Sequence, residues 1–148
     1  MGFAMNKIKH TSNIDSDIYR DSLAIRRAVF VTEQNVPEDL EIDNLESQCI
    51  YFNVYLDDQA VATARFYPTD DNGIHIQRVA VLKKYRQEHL GSDLLKYIFN
   101  YAQEENYNYV VLGAQDHAQN FYKKLGFKVI GKQYQEVGIA HHDMKLNL

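Results

Sequence analysis

The densest chemistry in the chain lies in one stretch, Lys83 to Leu95, which reads KKYRQEHLGSDLL. Three cations, Lys83, Lys84 and Arg86, precede Gly91, the stretch's one glycine. Before it, GIHIQRVAVL alternates and then runs apolar, as a strand does; after it, LLKYIFNYAQEE carries apolar residues at helical spacing. A loop that leaves a strand and enters a helix aims several main-chain N–H groups at one point. The helix dipole adds partial positive charge there. With the basic flank, the chemistry on offer is anion binding, and a diphosphate suits it. An ordinary strand-to-helix turn with surface cations would carry the same signals. The loop lacks both the Lys-Ser/Thr ending of a nucleotide P-loop and the three glycines of a dinucleotide fingerprint, which disfavours those two classes.

Other reactive side chains are scattered. His75 and Gln77 project from one face of IHIQRVAV, and a histidine has the intrinsic pKa of a general base. Glu33 closes the first helical run, and EQNVPEDLEIDNLE, which it opens, holds six acids and no base. That segment would draw a cationic ligand or form a solvated acidic loop. His141, His142 and Asp143 look like metal ligands, but adjacent strand residues point to opposite faces, so the two histidines do not share an ion. Cys49, the lone cysteine, reads as a small buried strand residue.

The elements that must position these groups follow from periodicity. DSDIYRDSLAIRRAVFVTEQ predicts a helix capped by Asp15 or Ser16, with Ile18, Ser22, Ile25 and Val29 on its inner face. CIYFNVYL predicts a half-buried strand with Ile50, Phe52, Val54 and Leu56 inward, and AVATARFY a second strand. DDNG is the best hairpin signal, because Asn72-Gly73 accepts the positive φ of a tight turn, and IHIQRVAVL is then the third strand of an antiparallel run. Leu90, Leu94, Tyr97, Ile98, Tyr101 and Ala102 make a helical stripe. YVVLGA predicts a strand buried on both faces and parallel to a neighbour, so residues 74–114 form a strand–helix–strand crossover. HAQNFYKKLGF is a short helix stopped by Gly126, and FKVIG and HHDMKLNL are closing strands. The sum is an α/β architecture, a mixed sheet with helices on both faces.

With 148 residues the chain is one domain's worth and buries a core without disulfides or metals. A net charge of −4 argues against a nucleic-acid partner. One cysteine, no export signal and no long apolar run lead us to expect a cytoplasmic protein without a membrane partner. MGFA, ahead of Met5, carries no fold argument.

RVAVLKKYRQEHLGSDLL and VVLGAQDHAQNFYKKLGF together resemble the GNAT superfamily of acetyl-CoA-dependent N-acetyltransferases. RRAVFVTEQNVPEDLEID and the ending GIAHHDMKL resemble its YjcF-like bacterial branch. Arg86, Leu90 and Gly91 match the family's loop pattern, while His89 replaces its first glycine. The resemblance implies a single GNAT domain over 1–148, with a mixed, mostly antiparallel twisted sheet and splayed parallel central strands. It implies acetyl-CoA as cosubstrate, no metal, a small-molecule amine as acceptor, direct attack in a ternary complex, and dimerisation as a common state. Main-chain amides of Arg86, Gln87, Glu88, His89, Leu90, Gly91 and Ser92 would hold the coenzyme diphosphate. Val79, Ala80 and Val81 would pair with the pantetheine arm, and Asn120 would bond the cofactor. Tyr122 matches the proton donor near the sulfur, although one more core aromatic among 11 tyrosines is the plainer reading. His75 and Glu33 compete as the base, and Gln77 and His141 would line the acceptor pocket. The alternative is a GNAT-fold acyl-CoA-binding module with a regulatory role.

Overall fold

The computed structural model describes residues 6–148, so the MGFA segment lies outside the described residues. Among the described residues, seven strands, β1 (Asn6–Thr11), β2 (Ile50–Leu56), β3 (Gln59–Pro68), β4 (Gly73–Val81), β5 (Tyr109–Gln115), β6 (Lys128–Glu136) and β7 (Ile139–Asn147), hydrogen-bond in the order β1-β2-β3-β4-β5-β7-β6; β4 runs parallel to β5, while β1–β2, β2–β3, β5–β7 and β7–β6 pair antiparallel. The expected mixed α/β sheet is therefore present. Two compact units make up the chain: one runs to Tyr67 and takes in Arg78–Ile98, the other comprises Pro68–Gln77 and Phe99–Leu148.

In the first unit, β1 (Asn6–Thr11), β2 (Ile50–Leu56) and β3 (Gln59–Pro68) form a meander. Ser16 caps α1 (Asp17–Arg26), its Oγ accepting from the Tyr19 N–H at 3.2 Å. The helix continues as π-helical turns over Arg27–Glu33, and a short helix, α2 (Glu38–Glu41), follows. Its buried face is Tyr19, Ser22, Ile25, Arg26 and Val29, so Tyr19 and Arg26 displace the expected Ile18. β2 is also more buried than its alternation predicts: Tyr51, Asn53 and Tyr55 are buried as deeply as Phe52 and Val54. The polar tips explain this. Ser22 Oγ donates to Asn53 at 2.7 Å, Tyr55 donates to Asp21 at 2.7 Å, and Tyr19 meets the Tyr51 ring edge-on at 4.9 Å. Once their polar atoms are bonded, such residues cost little to bury. On the strand's other face, Phe52 stacks on Phe66 and meets Tyr97. Tyr97 itself stays 39% exposed, and Leu95, outside the expected stripe, is fully buried in α3 (Leu90–Glu104).

The second unit is built on β5 (Tyr109–Gln115), β6 (Lys128–Glu136) and β7 (Ile139–Asn147), with the first half of β4 (Gly73–Val81) alongside β5. The β3–β4 connection departs from a tight Asn-Gly turn. Only Asn72 has positive φ, 67°. Gly73 is needed for space, since a Cβ there would stand 2.2 Å from Cζ of Tyr109. β5 buries Val110, Leu112 and Ala114 on one face and exposes Gly113 on the other, so it is not the doubly buried strand its apolar run suggests. α4 (Gln119–Lys124) ends at Leu125 with Gly126 following at φ 102°, as its sequence predicts.

Candidate active site

The first unit carries the stretch expected to bind an anion. β4 breaks its regular conformation at Arg78, φ 57°, and its parallel pairing with β5 covers only Gly73–His75. Val79, Ala80 and Val81 thus lie beyond the last residue of β4 that β5 pairs. A 3₁₀ turn, Lys83–Tyr85, follows, and then Gln87 and His89 both take positive φ, 74° and 59°. His89 therefore does occupy a conformation suited to glycine, at a cost on the order of 1 kcal/mol. Its carbonyl accepts the first helical bond, from Asp93 N–H at 3.0 Å. Among the described residues, no main-chain N–H from Gln87 to Ser92 donates a hydrogen bond. Six consecutive open donors, three of them in the first turn of a 15-residue helix, are chemically suited to an anion.

Arg86 is less available than its sequence position suggests. It donates to both Glu33 oxygens, at 2.5 and 2.9 Å, and to the Val81 carbonyl at 3.0 Å. The Arg86 hydrogen bond holds the Glu33 carboxyl below the usual carboxylate range. A carboxylate with both oxygens occupied by a guanidinium is a weak proton acceptor.

The acidic segment also behaves differently from a free negative wall. Glu38 pairs with Arg27, Glu41 with Arg26 and Arg78, Asp43 with Arg65 and Arg78, and Glu46 with Arg26 and Arg65. With Glu33 on Arg86, five of the six acids are neutralised by arginines, and only the exposed Asp39 has no ion pair among the described residues. Sequence reasoning missed Arg26, Arg65 and Arg78 as a group. The signal was present: Arg26 lies four residues from the inward Ser22, and Arg65 stands between Ala64 and Phe66 in an apolar strand. Cys49 is buried beside this network, and burial pushes its thiol pKa up, which makes it inert.

In the second unit, Tyr122 packs edge-on between the rings of Phe121 (5.0 Å) and Phe127 (5.7 Å). Burial pushes its hydroxyl up to about 12. That hydroxyl has no hydrogen-bond partner among the described residues and is not sealed from solvent. Asn120, one residue earlier on α4, is exposed. Registers place the remaining candidates. His75 pairs with Val111, which pairs with Lys145; Gly113 pairs with Asp143, Gln115 with His141, and His141 with Tyr134. By strand alternation, His75, Gln77, Gly113, Gln115, Tyr134, His141 and Asp143 share one face of this unit's sheet. His142 takes the opposite face, where Nδ1 lies 2.6 Å from Asp116 Oδ1.

Residues 14–148 match the family model described as the acetyltransferase (GNAT) domain. The chain belongs to the GNAT acetyltransferase family. It is 35% identical over 126 residues to Bacillus subtilis YjcF, named an uncharacterized N-acetyltransferase, covering 84% of this chain and 89% of that one. The crystal structure of Escherichia coli ElaA superposes with a TM-score of 0.83 at 31% identity, over 97% of this chain and 99% of ElaA. An acyl-CoA N-acyltransferase from Pseudomonas aeruginosa superposes with a TM-score of 0.85 at 26% identity, over 95% and 99%.

Proposed function

We propose that the protein transfers an acetyl group from acetyl-coenzyme A directly to a small-molecule amine. The observation that carries this reading is the run of open amides from Gln87 to Ser92 at the start of α3. In the family, such a run binds the coenzyme's diphosphate, and a diphosphate supplies the acceptor oxygens that six consecutive donors require. In this reading Val79, Ala80 and Val81 pair with the pantetheine arm, and a main-chain N–H there polarises the thioester carbonyl. Asn120 bonds the cofactor. Tyr122 gives a proton to the departing thiolate, a task that suits a phenol kept protonated by burial and claimed by no acceptor among the described residues. Proton removal from the amine is assigned to the sheet face carrying His75, Gln77 and His141, because Glu33 is occupied by Arg86. Charge attraction from residues 33–46 is weak in this reading, since their arginine partners cancel most of it.

Calorimetric titration tests the reading. Coenzyme A should bind with one site per chain and raise Tm, whereas ATP should do neither. Equal responses to both would return the cradle to the general class of nucleotide sites.

A further inference from the structure

His141 carries a set of contacts that the family reading does not use. Its Nδ1 lies 2.7 Å from the carbonyl oxygen of Ile139. A carbonyl only accepts, so Nδ1 bears the hydrogen and, in the neutral ring, the lone pair is on Nε2. Nε2 makes no hydrogen bond among the described residues, nor is it among the sealed, unpartnered atoms. The ring is held flat against Tyr134, with centroids 5.7 Å apart and planes 20° apart. Tyr134 is fixed in turn by donating its hydroxyl to Asp143 Oδ1 at 2.8 Å. Gly113 makes that clamp possible, because a Cβ there would stand 2.3 Å from the Tyr134 hydroxyl oxygen. The Glu136 carboxylate, largely exposed, lies 4.0 Å from Nε2. Lys145, on the same face, rests over the Tyr109 ring at 4.4 Å, and His142 faces away toward Asp116.

Position supports chemistry here. His141 is the cross-strand partner of Gln115, the last residue of β5. Ligands in sheets with parallel strands bind beyond the strands' carboxyl ends. His75 lies instead within the paired stretch, opposite Val111, roughly 13 Å back along β5 at about 3.3 Å per residue.

We propose that His141 is the general base of the transfer, mounted by Ile139, Tyr134, Asp143 and Gly113. This rests on the acetyltransferase reading. As the amine nitrogen bonds to the acetyl carbonyl carbon, its proton passes to Nε2. The tetrahedral oxyanion then re-forms the carbonyl, the C–S bond breaks, and the thiolate leaves with the electron pair to take a proton from Tyr122, which water restores. Glu136 stabilises the imidazolium and passes its proton to bulk water.

The test compares wild type, His141→Asn and His75→Ala in kcat/KM against pH, using acetyl-CoA with benzylamine, 1,4-diaminobutane and lysine methyl ester. Rates are expressed per concentration of free-base amine, which removes titration of the substrate. Asparagine keeps a donor for the Ile139 carbonyl and removes Nε2. His141→Asn should lose the acid limb and roughly 100-fold or more in rate, while His75→Ala keeps the limb. A limb that survives in His141→Asn overturns the proposal while leaving acetyl transfer intact; absence of transfer by wild type sinks the acetyltransferase reading itself. Nitrogen NMR of the imidazole gives a readout independent of turnover. It should show Nδ1 protonated and Nε2 bare in the neutral ring, and the opposite tautomer overturns the assignment.

Discussion

Replacing Glu46 by glutamine probes the buried network that ties the 38–46 segment to α1 and β3. Glu46 is 7% exposed, and Arg26 and Arg65 are each 1% exposed. Its Oε1 accepts from Arg26 (2.7 Å), Tyr19 (2.9 Å) and Tyr51 (3.1 Å); its Oε2 accepts from Arg65 (2.8 Å), Arg26 (3.0 Å) and the Asp43 N–H (3.1 Å). Glutamine would set an NH₂ group against one of these sets of donors and leave three arginines facing two carboxylates. Breaking a buried pair in this way costs about 3–5 kcal/mol. At about 2–4 °C per kcal/mol for a chain of this size, Tm should fall by roughly 6–20 °C. Scanning calorimetry at neutral pH measures it, with Asp39→Asn as a control that should change nothing. The pH dependence has a definite sign. Burial alone would raise the Glu46 pKa, but the hydrogen bonds from Arg26 and the Asp43 N–H, with the Arg26 and Arg65 charges, hold it far below the usual carboxylate range. Its contribution is thus complete above the unfolded value near about 4.3 and drains away as the solution becomes more acid, because there the unfolded chain takes up the proton first. A Tm loss under about 2 °C, or wild-type stability that is flat down to pH 3, would refute the picture of a dry, charge-matched cluster.

Gly91→Val, in a folded variant, should weaken coenzyme A binding at least 10-fold by calorimetry, because the main chain must approach the phosphates closely; unchanged affinity would move the diphosphate elsewhere. Tyr122→Phe should keep fold and coenzyme affinity but lower kcat by roughly 100- to 10,000-fold. Because burial pushes Tyr122 up to about 12, the phenol stays a donor throughout, and the loss should be the same at pH 6 and pH 9. Glu33→Gln should leave the acid limb of the rate profile in place, since the carboxylate is already committed to Arg86; a limb that moves in this variant would make Glu33 the base.

The strands and the long helix were legible because their signals are local. Alternation, helical spacing and Gly126 each report on a few neighbouring residues, and the match of Arg86, Leu90 and Gly91 to the loop pattern singled out the loop that the proposed function uses. What was not legible depends on partners distant in sequence. Arg26 meets acids 15 and 20 residues away, which draws Glu41 and Glu46 of an apparently open acidic segment into a buried, charge-paired cluster. β2 looked half-buried because Tyr51 and Asn53 read as solvent-facing until the α1 groups that bond or pack against them are known. Gly73 and Gly113 carry no turn; each clears space for a tyrosine, Tyr109 and Tyr134, and neither pairing leaves a trace in local sequence. Tyr134 itself drew no attention beside the more conspicuous His141–His142–Asp143 triplet, although it clamps two of the three.

The most direct measurement of the central claim is single-turnover transfer from acetyl-CoA labelled in the acetyl group, with the products separated after incubation with the amine panel. Acetyl transfer predicts label in an amide, formed in step with free coenzyme A and far faster than in protein-free controls, with none retained covalently on the protein. Tight binding of acetyl-CoA with release of neither coenzyme nor acetyl amide would contradict it and make the protein an acyl-coenzyme A-binding module.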